Sequence, residues 1–279
     1  MIVNERNTGF GAAINQAFRA SSAPYLATLN DDAVAHPRWL EALLAAAEVR
    51  PRAGMFASEV RMSGTEMLDS AGMLIARDGS SKQRGHGELP AKFEKSTDAL
   101  CPSGSAALYR RAMLDEIGLF DENFFLYCED TDLGLRARWA GWECAYVAGA
   151  VVEHRYSHSA GRASPLKAYY VERNRMYMVV RNFPWQMLIW TKAASFVRFF
   201  WHLISMIEGR GKAAEFRQAG HSAALLPWLV LRAHIAVLFQ LPRLWSERRR
   251  IRATRRLTVP QFRAILGAHS ISLRRMAQL

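Results

Sequence analysis

A chain of 279 residues is long enough to bury one large core, or one core plus an appendage, and no internal repeat or low-complexity tract argues against a globular protein. Its three cysteines, Cys101, Cys128 and Cys144, are an odd number with no CxxC pair, so neither a disulfide framework nor a zinc site is suggested and a reducing cytosol fits best. Charge is divided along the chain: residues 1–154 carry 15 Lys+Arg against 21 Asp+Glu (net −6) and residues 155–279 carry 22 against 4 (net +18), as for a catalytic part followed by one that meets an anionic surface.

The opening Met1-Ile-Val is a short apolar segment with the character of a strand end, and without an apolar h-region it does not read as a signal peptide. A turn and a helix follow from Asn7, with Ile14, Ala17 and Phe18 on one face. Gly9 and Gly11 leave the backbone approachable at the helix start, as phosphate-binding turns require. Residues 25–29 read as a short buried strand that ends at Asn30-Asp31-Asp32. Pro37 then opens a helix with Trp39, Leu40, Leu43, Leu44 and Ala47 inward. The acidic pair thus lies just past the carboxyl end of a strand, where open α/β sheets bind ligands; the alternative is a turn or N-cap acid.

Short strands and turns are expected over residues 54–104, with the polar run 77–87 a loop that can close over a substrate and His86 a loop residue rather than a ligand. Residues 102–110 read as a turn and strand feeding a helix over 111–117. Five carboxylates then stand among aromatics between Phe120 and Gly141. Here Leu133, Ala137 and Ala140 recur at helical spacing, Arg136 and Arg138 fall off that stripe, and Gly141 is the stop. Glu129, Asp130 and Asp132 therefore sit at a helix N-terminus, where the dipole favours carboxylates, so they read equally as an acidic helix cap or as acids with a function. Residues 144–148 form a strand that delivers His154; a lone histidine is usually a packed or surface residue.

In residues 190–207, Thr191, Ser195, Arg198, His202 and Ser205 step by four and three, a polar stripe on an otherwise apolar helix. A buried core helix has this pattern, and so does a helix lying in a membrane interface, which the basic and aromatic residues favour. Residues 223–241 are apolar but interrupted by Pro227, Arg232 and His234, short of the ~18 to 20 uninterrupted apolar residues of a spanning helix. The arginines of 248–256 suit anionic lipid head groups.

The run from Gly118 to Leu133, followed by Arg136-Ala-Arg138 and Gly141-Trp142, resembles the Glu-Asp motif of inverting family 2 glycosyltransferases, nearest their rhamnosyltransferase-like branch. The similarity extends from about residue 4 to about residue 184. It includes Asn7-x-Gly9-Phe10 with Asn15, the segment Asn30-Asp31-Asp32 in place of the Asp-x-Asp motif, Gly104 with Arg110, and Tyr169-Tyr170-x-x-Arg173-Asn174. The resemblance implies an α/β GT-A fold with a Rossmann-like sheet. It makes Asp130 the general base, supported or positioned by Glu129 and Asp132. Asn7, Gly9, Gly11, Asn30 and Asp31 bind the donor, and Asp32 and His154 hold Mg2+ or Mn2+. His154 with Ser159 fits the family's His-x-x-x-x-Ser pattern, with His158 a competitor for the role. The segments 68–72 and 84–87 look like signatures of the branch without an assignable chemistry.

The expected organisation is a catalytic domain over residues 1–182 and a helical, basic, membrane-associating region over 183–279. The expected function is sugar transfer, with rhamnose the sugar that the branch implies, from a dTDP- or UDP-sugar to a glycan or lipid-linked acceptor for cell-surface polysaccharide. The protein would be cytoplasmic and peripheral on an anionic inner membrane face. A non-catalytic scaffold of a membrane glycan assembly is the alternative; a nucleic-acid-binding protein explains the basic tail but not the acidic half, so no nucleic-acid partner is expected. Because Met1 falls just before the Asn-x-Gly-Phe segment, the family's opening βα units are expected to be missing, leaving an N-terminally truncated sheet prone to aggregation.

Overall fold

The computed structural model describes residues 2–155 and 164–279. His158 and Ser159, singled out above, lie outside the described residues. In chain order the elements are α1 (Phe10–Arg19), β1 (Tyr25–Leu29), β2 (Ala33–Ala35), α2 (Trp39–Val49), β3 (Ala53–Met62), β4 (Leu68–Ser70), β5 (Met73–Ile75), β6 (Ser81–Gln83), β7 (Thr97–Asp98), β8 (Ala106–Arg110), α3 (Arg111–Ile117), α4 (Glu129–Trp139) and β9 (Glu143–His154). These are followed by α5 (Pro165–Asn182), α6 (Trp185–Ile207), α7 (Gly211–Gln218), α8 (Leu225–Ala253), α9 (Val259–Ala268) and α10 (Leu273–Gln278).

The chain forms two compact units: one of residues 1–74, 83–156 and 254–269, the other of 75–82, 157–253 and 270–279. They do not follow a division at 182/183, because α5 groups with the later helices and residues 254–269 return to the first unit.

The first unit is built on a mixed sheet of order β1-β8-β3-β9-β2, with β4 beside β3 and β7 beside β9. Only β3 and β9 run parallel; β1 with β8, β8 with β3, and β9 with β2 are antiparallel. β3 and β8 are central and buried nearly throughout, Ser58 and Glu59 of β3 included. Helix α2 covers one face, placing Trp39, Leu43 and Ala47 against Phe56, Val60, Leu108, Val147 and Val152. Each large apolar side chain so buried contributes about 1.5–3 kcal/mol. The Trp39 indole N–H finds Ser58 Oγ at 2.8 Å, so the bulkiest residue of this face leaves no unmet donor.

Three expectations are corrected here. Strand β1 is an edge strand with only Thr28 buried, not a buried one. Leu40 points to solvent, since the helix starts at Trp39 rather than at Pro37 and its inward face is Trp39, Leu43 and Ala47. Helix α4 is buried on every side from Thr131 to Trp139, so Arg136 and Arg138, off the apolar stripe, are core residues. They are tolerated because both are fully engaged. Arg136 bonds Asp132 and the carbonyls of Ile117, Gly118 and Leu119, while Arg138 bonds Asp98 and the carbonyl of Leu100. Residues 254–269 close against this helix through Phe262, stacked on Trp139 at 3.9 Å.

The second unit is helical, with α5 packed along α8 and α6 against α7 and α10. The polar stripe of α6 faces inward: Thr191, Arg198 and Ser205 are its buried residues. Arg198 donates to Asp78 and Glu172, both at 2.6 Å, and Arg175 shares the same two acidic partners. Residues 77–87 are accordingly no free lid, since Asp78 and Lys82 are buried. The apolar side of α6 is left outside, with Trp190 73%, Phe196 75% and Ile207 75% exposed. Helix α8 is continuous despite Pro227 in its first turn and Pro242 within it. By length and composition it is the one helix among the described residues that meets the measure of a membrane span, with only 17% of its apolar window buried.

Candidate active site

The site lies in the first unit, where the chain segments after β1, before β8 and at the start of α4 meet the end of β9. The turn after β1 is fixed by its backbone: Asn30 N–H donates to Ser105 O at 2.9 Å, and Arg155 N–H to Asp32 O at 3.0 Å. Gly104, beside Ser105, donates its N–H to Asp130 Oδ2 at 3.0 Å. One three-residue loop, Ser103-Gly104-Ser105, thus ties the acidic turn to the acid at the helix start.

Asp130 is half-buried, and Thr131 donates to its Oδ1 from backbone N–H and hydroxyl. Burial pushes its carboxyl above the ordinary range, against the pull of these hydrogen bonds. Glu129 is buried with Oε2 receiving no hydrogen bond from the described residues; burial first, and the neighbouring Asp130 second, push it up to about 8. Asp132 faces away from this pair to Arg136 at 3.0 Å and acts on the site through the 117–119 turn that Arg136 holds. The residues leading into α4 are strained: Phe125, Tyr127 and Cys128 have φ of 63°, 71° and 67°, a left-handed conformation rare outside glycine and concentrated at functional sites.

Against this strained segment lies the start of α1. Asn7 Oδ1 accepts the Gly9 N–H at 2.9 Å, and Phe10 N–H donates to Phe125 O. A Cβ on Gly9 (φ 89°) would stand 2.4 Å from Phe125 O, and one on Gly11 would stand 3.0 Å from Phe120 Cβ. The close approach that these glycines permit is to residues 120–125 of the chain itself.

His154 arrives on β9 with a carboxylate on each ring nitrogen: Asp32 Oδ1 is 3.0 Å from Nε2, and Asp69 Oδ2 is 2.8 Å from Nδ1. The Asn30 amide is 3.4 Å from Nε2. Burial alone lowers His154, but the bond to Asp69 and the charges of Asp69 and Asp32 carry it above the usual imidazole value. Burial alone would raise Asp69; hydrogen bonds from His154 and His86 outweigh it and hold the carboxyl below its usual range. Asp31 is exposed on the outer side of the turn.

Asp32 Oδ1 is buried and, although close to His154, takes no aligned hydrogen bond. Adjacent ligands of an octahedral cation at about 2.1 Å stand roughly 3.0 Å apart, so the pair Asp32 and His154 fits Mg2+ or Mn2+. Turned by 180°, the Asn30 amide presents an oxygen to the same place. Among the described residues no cluster of three or more His, Cys, Asp or Glu side chains gathers in a metal-binding array. Oxygens of a ligand or of water would complete such a shell. Asp69 and His86 were the residues that sequence reasoning left without a role. The sign of them in the sequence was the likeness of segments 68–72 and 84–87 to signatures of the branch.

This α/β unit, with its mixed sheet, an acidic turn beyond a strand end and a held carboxylate at a helix start, has the GT-A fold that the resemblance implied. The chain belongs to the family described as glycosyltransferase like family 2, whose match covers residues 1–178. Two curated relatives, the N-acetylglucosaminyl-diphospho-decaprenol L-rhamnosyltransferases of Mycobacterium tuberculosis strains CDC 1551 / Oshkosh and ATCC 25618 / H37Rv, are each 32% identical over 204 residues. That similarity takes in 64% of this chain and 66% of each relative, so the chain spans a little under two thirds of their length. Among solved structures, GalNAc-T7 with UDP, GalNAc and Mn2+ superposes with a TM-score of 0.54 at 14% identity, covering 69% of this chain and 38% of that one. This likeness supports the fold.

Proposed function

We propose that the protein is an inverting glycosyltransferase that takes a sugar from a nucleotide-diphosphate donor and places it on a glycan or lipid-linked acceptor in cell-surface polysaccharide synthesis. The observation that carries this reading is the loop Ser103-Gly104-Ser105, which binds the Asp130 carboxylate by one residue and the Asn30–Asp32 turn by the next. Base and donor-side acids are thereby held in register. Asp130 takes the proton of the acceptor hydroxyl as that oxygen forms its bond to the anomeric carbon; the bond to the diphosphate breaks on the opposite face, and the centre inverts. Neutral Glu129 keeps a second charge away from Asp130, and Asp132 steadies the turn before the motif. Asp32 and His154, with Asn30 beside them, would hold Mg2+ or Mn2+. When bound, such a cation offsets the charge that develops on the departing diphosphate. Asn30 stands beside His154 on the donor side, and Asp31 is assigned to donor binding by the family resemblance alone. Asn7, Gly9 and Gly11 shape that side by locking residues 120–125.

The names of the mycobacterial relatives support rhamnose as the transferred sugar and a diphospholipid-linked acceptor; a dTDP- or UDP-sugar as donor is what the family resemblance implies. The exposed aromatic faces of α6 and α8 support peripheral attachment to an anionic membrane, on the cytoplasmic side where nucleotide sugars are made. Turnover of a panel of dTDP- and UDP-sugars, with and without Mn2+, tests the reading. Asp130→Asn should lose about a hundredfold or more in turnover while the folded protein still binds donor, because the amide cannot take the proton; its melting temperature should fall, since the amide nitrogen cannot accept one of the two backbone N–H bonds. Near-normal turnover in that variant would overturn the assignment.

A further inference from the structure

We propose that Asp69 is a positioning residue for His154, itself locked by His86, and that this relay presents Nε2 of His154 to a divalent cation. The proposal rests on the metal-dependent reading above and assigns a role to two segments that reading leaves unused. An ionised carboxylate only accepts hydrogen bonds, so the ring nitrogens that face Asp69 carry protons. These are Nδ1 of His154, 2.8 Å from Asp69 Oδ2, and Nδ1 of His86, 3.1 Å from Asp69 Oδ1 and 3.2 Å from the Asp69 carbonyl. In neutral His154 the lone pair then lies on Nε2, on the side of Asp32. The Asp69 carboxylate is only 2% exposed, so water does not compete for it.

The arrangement is built into the backbone. Strand β4 carries Asp69 and is paired to β3 through Val60 and Ser70. The turn that carries His86 is bonded onto β4 at both ends, by Leu68 N–H to Glu88 O at 2.8 Å, Gly87 N–H to Leu68 O at 2.9 Å, and Ala71 N–H to Arg84 O at 2.9 Å. The side chain of Arg84 adds a bond to Ala71 O. The turn thus holds the His86 backbone beside Asp69, and Asp69 cannot rotate without losing both imidazoles. Histidines that ligate metals are commonly oriented by a carboxylate on the far nitrogen, and loss of that partner weakens metal binding by about 10–100-fold.

The test is Mn2+ affinity of the full chain, measured by electron paramagnetic resonance with UDP present. Asp69→Asn should bind Mn2+ about 10–100-fold more weakly, and His86→Asn should show a smaller loss in the same direction. Ser70→Ala, which removes the buried bond from Ser70 Oγ to Gly72 O, should lower the melting temperature and leave Mn2+ affinity unchanged. Wild-type affinity in a folded Asp69→Asn protein would overturn the positioning role while leaving the metal site intact; failure of the wild-type chain to bind Mn2+ with UDP would overturn the metal reading and this proposal together. Should Asp69→Asn not fold, nitrogen-15 spectra of the Mg2+-loaded wild-type protein decide the matter. A protonated Nδ1 at His154 supports the relay, and a bare Nδ1 overturns it.

Discussion

Glu129 and Asp130 are consecutive carboxyls in the first turn of α4, and burial raises both. At Asp130 three accepted hydrogen bonds oppose that rise, whereas Glu129 Oε2 is buried with none from the described residues and Glu129 is pushed up to about 8. In the unfolded chain Glu129 returns to an ordinary value of about 4.3. Between these two values the folded protein holds a proton that the unfolded one has released, so stability falls as pH rises through that window and levels off above it. Glu129→Gln mimics the neutral acid and removes this slope. Its melting temperature relative to wild type should climb from about pH 5 to about pH 8 and then hold; parallel curves across that range would show that Glu129 is not held neutral. The local pattern around Asp130 is equally that of an acidic helix cap, and it was the resemblance of the run from Gly118 to Leu133 to the Glu-Asp motif that singled the residue out. The role of Asp69 was not legible in the sequence, since its partner His154 lies 85 residues away and no local spacing encodes that contact.

Helices α4 and α6 show why periodicity located these elements but did not orient their polar residues. In α4 the stripe of Leu133, Ala137 and Ala140 was real, yet the helix is enclosed on all sides, and Arg136 and Arg138 are buried by virtue of carbonyls and acids supplied from distant segments. In α6 the stripe of Thr191, Arg198 and Ser205 was equally visible, but a polar stripe turns inward only when partners await it. Asp78 and Glu172, 120 and 26 residues away, are those partners. Removing one member of a buried ion cluster leaves charges without compensation, so Arg198→Met should cost about 3–5 kcal/mol. Urea unfolding followed by tryptophan fluorescence would read this. Phe196→Ser on the exposed side should stay within about 0.5 kcal/mol of wild type. Arg175 and Arg198, after burial has worked against them, hold Glu172 down at about 2. The stability this acid contributes is present above its ordinary value and is lost as pH falls through about 2, so acid unfolding of Arg198→Met should begin at a higher pH than in wild type. An unchanged urea midpoint and an unchanged acid limb would show that the cluster contributes nothing net.

For the molecule as a whole, charge division and surface chemistry describe the same tail in two ways. The +18 of residues 155–279 was legible by counting, and the catalytic fold by its ordered motifs. What counting did not reveal is that the arginines are sorted by burial. Arg248 points inward to Val180 O at 2.6 Å, and Arg249, Arg250 and Arg252 remain exposed. Exposed with them are Trp190, Phe196 and Phe200 on α6 and Trp228, Leu231 and Phe239 on α8, an apolar area of a kind that soluble surfaces seldom leave uncovered. The two features predict two separable contributions to vesicle binding. The arginine part is screened as salt rises beyond about 0.1 M, where the Debye length is ~10 Å, and is worth about 1 kcal/mol per arginine near an anionic surface. The aromatic part depends on buried area and does not fade with salt. In flotation with anionic vesicles, replacing Arg249, Arg250 and Arg252 with Gln should therefore weaken binding at low salt and flatten its salt dependence. Trp190→Ala combined with Phe196→Ala should weaken binding by a similar factor at every salt concentration. Equal flotation of the wild-type chain on neutral and anionic vesicles would remove the arginine term, and flotation insensitive to the aromatic pair would remove the other.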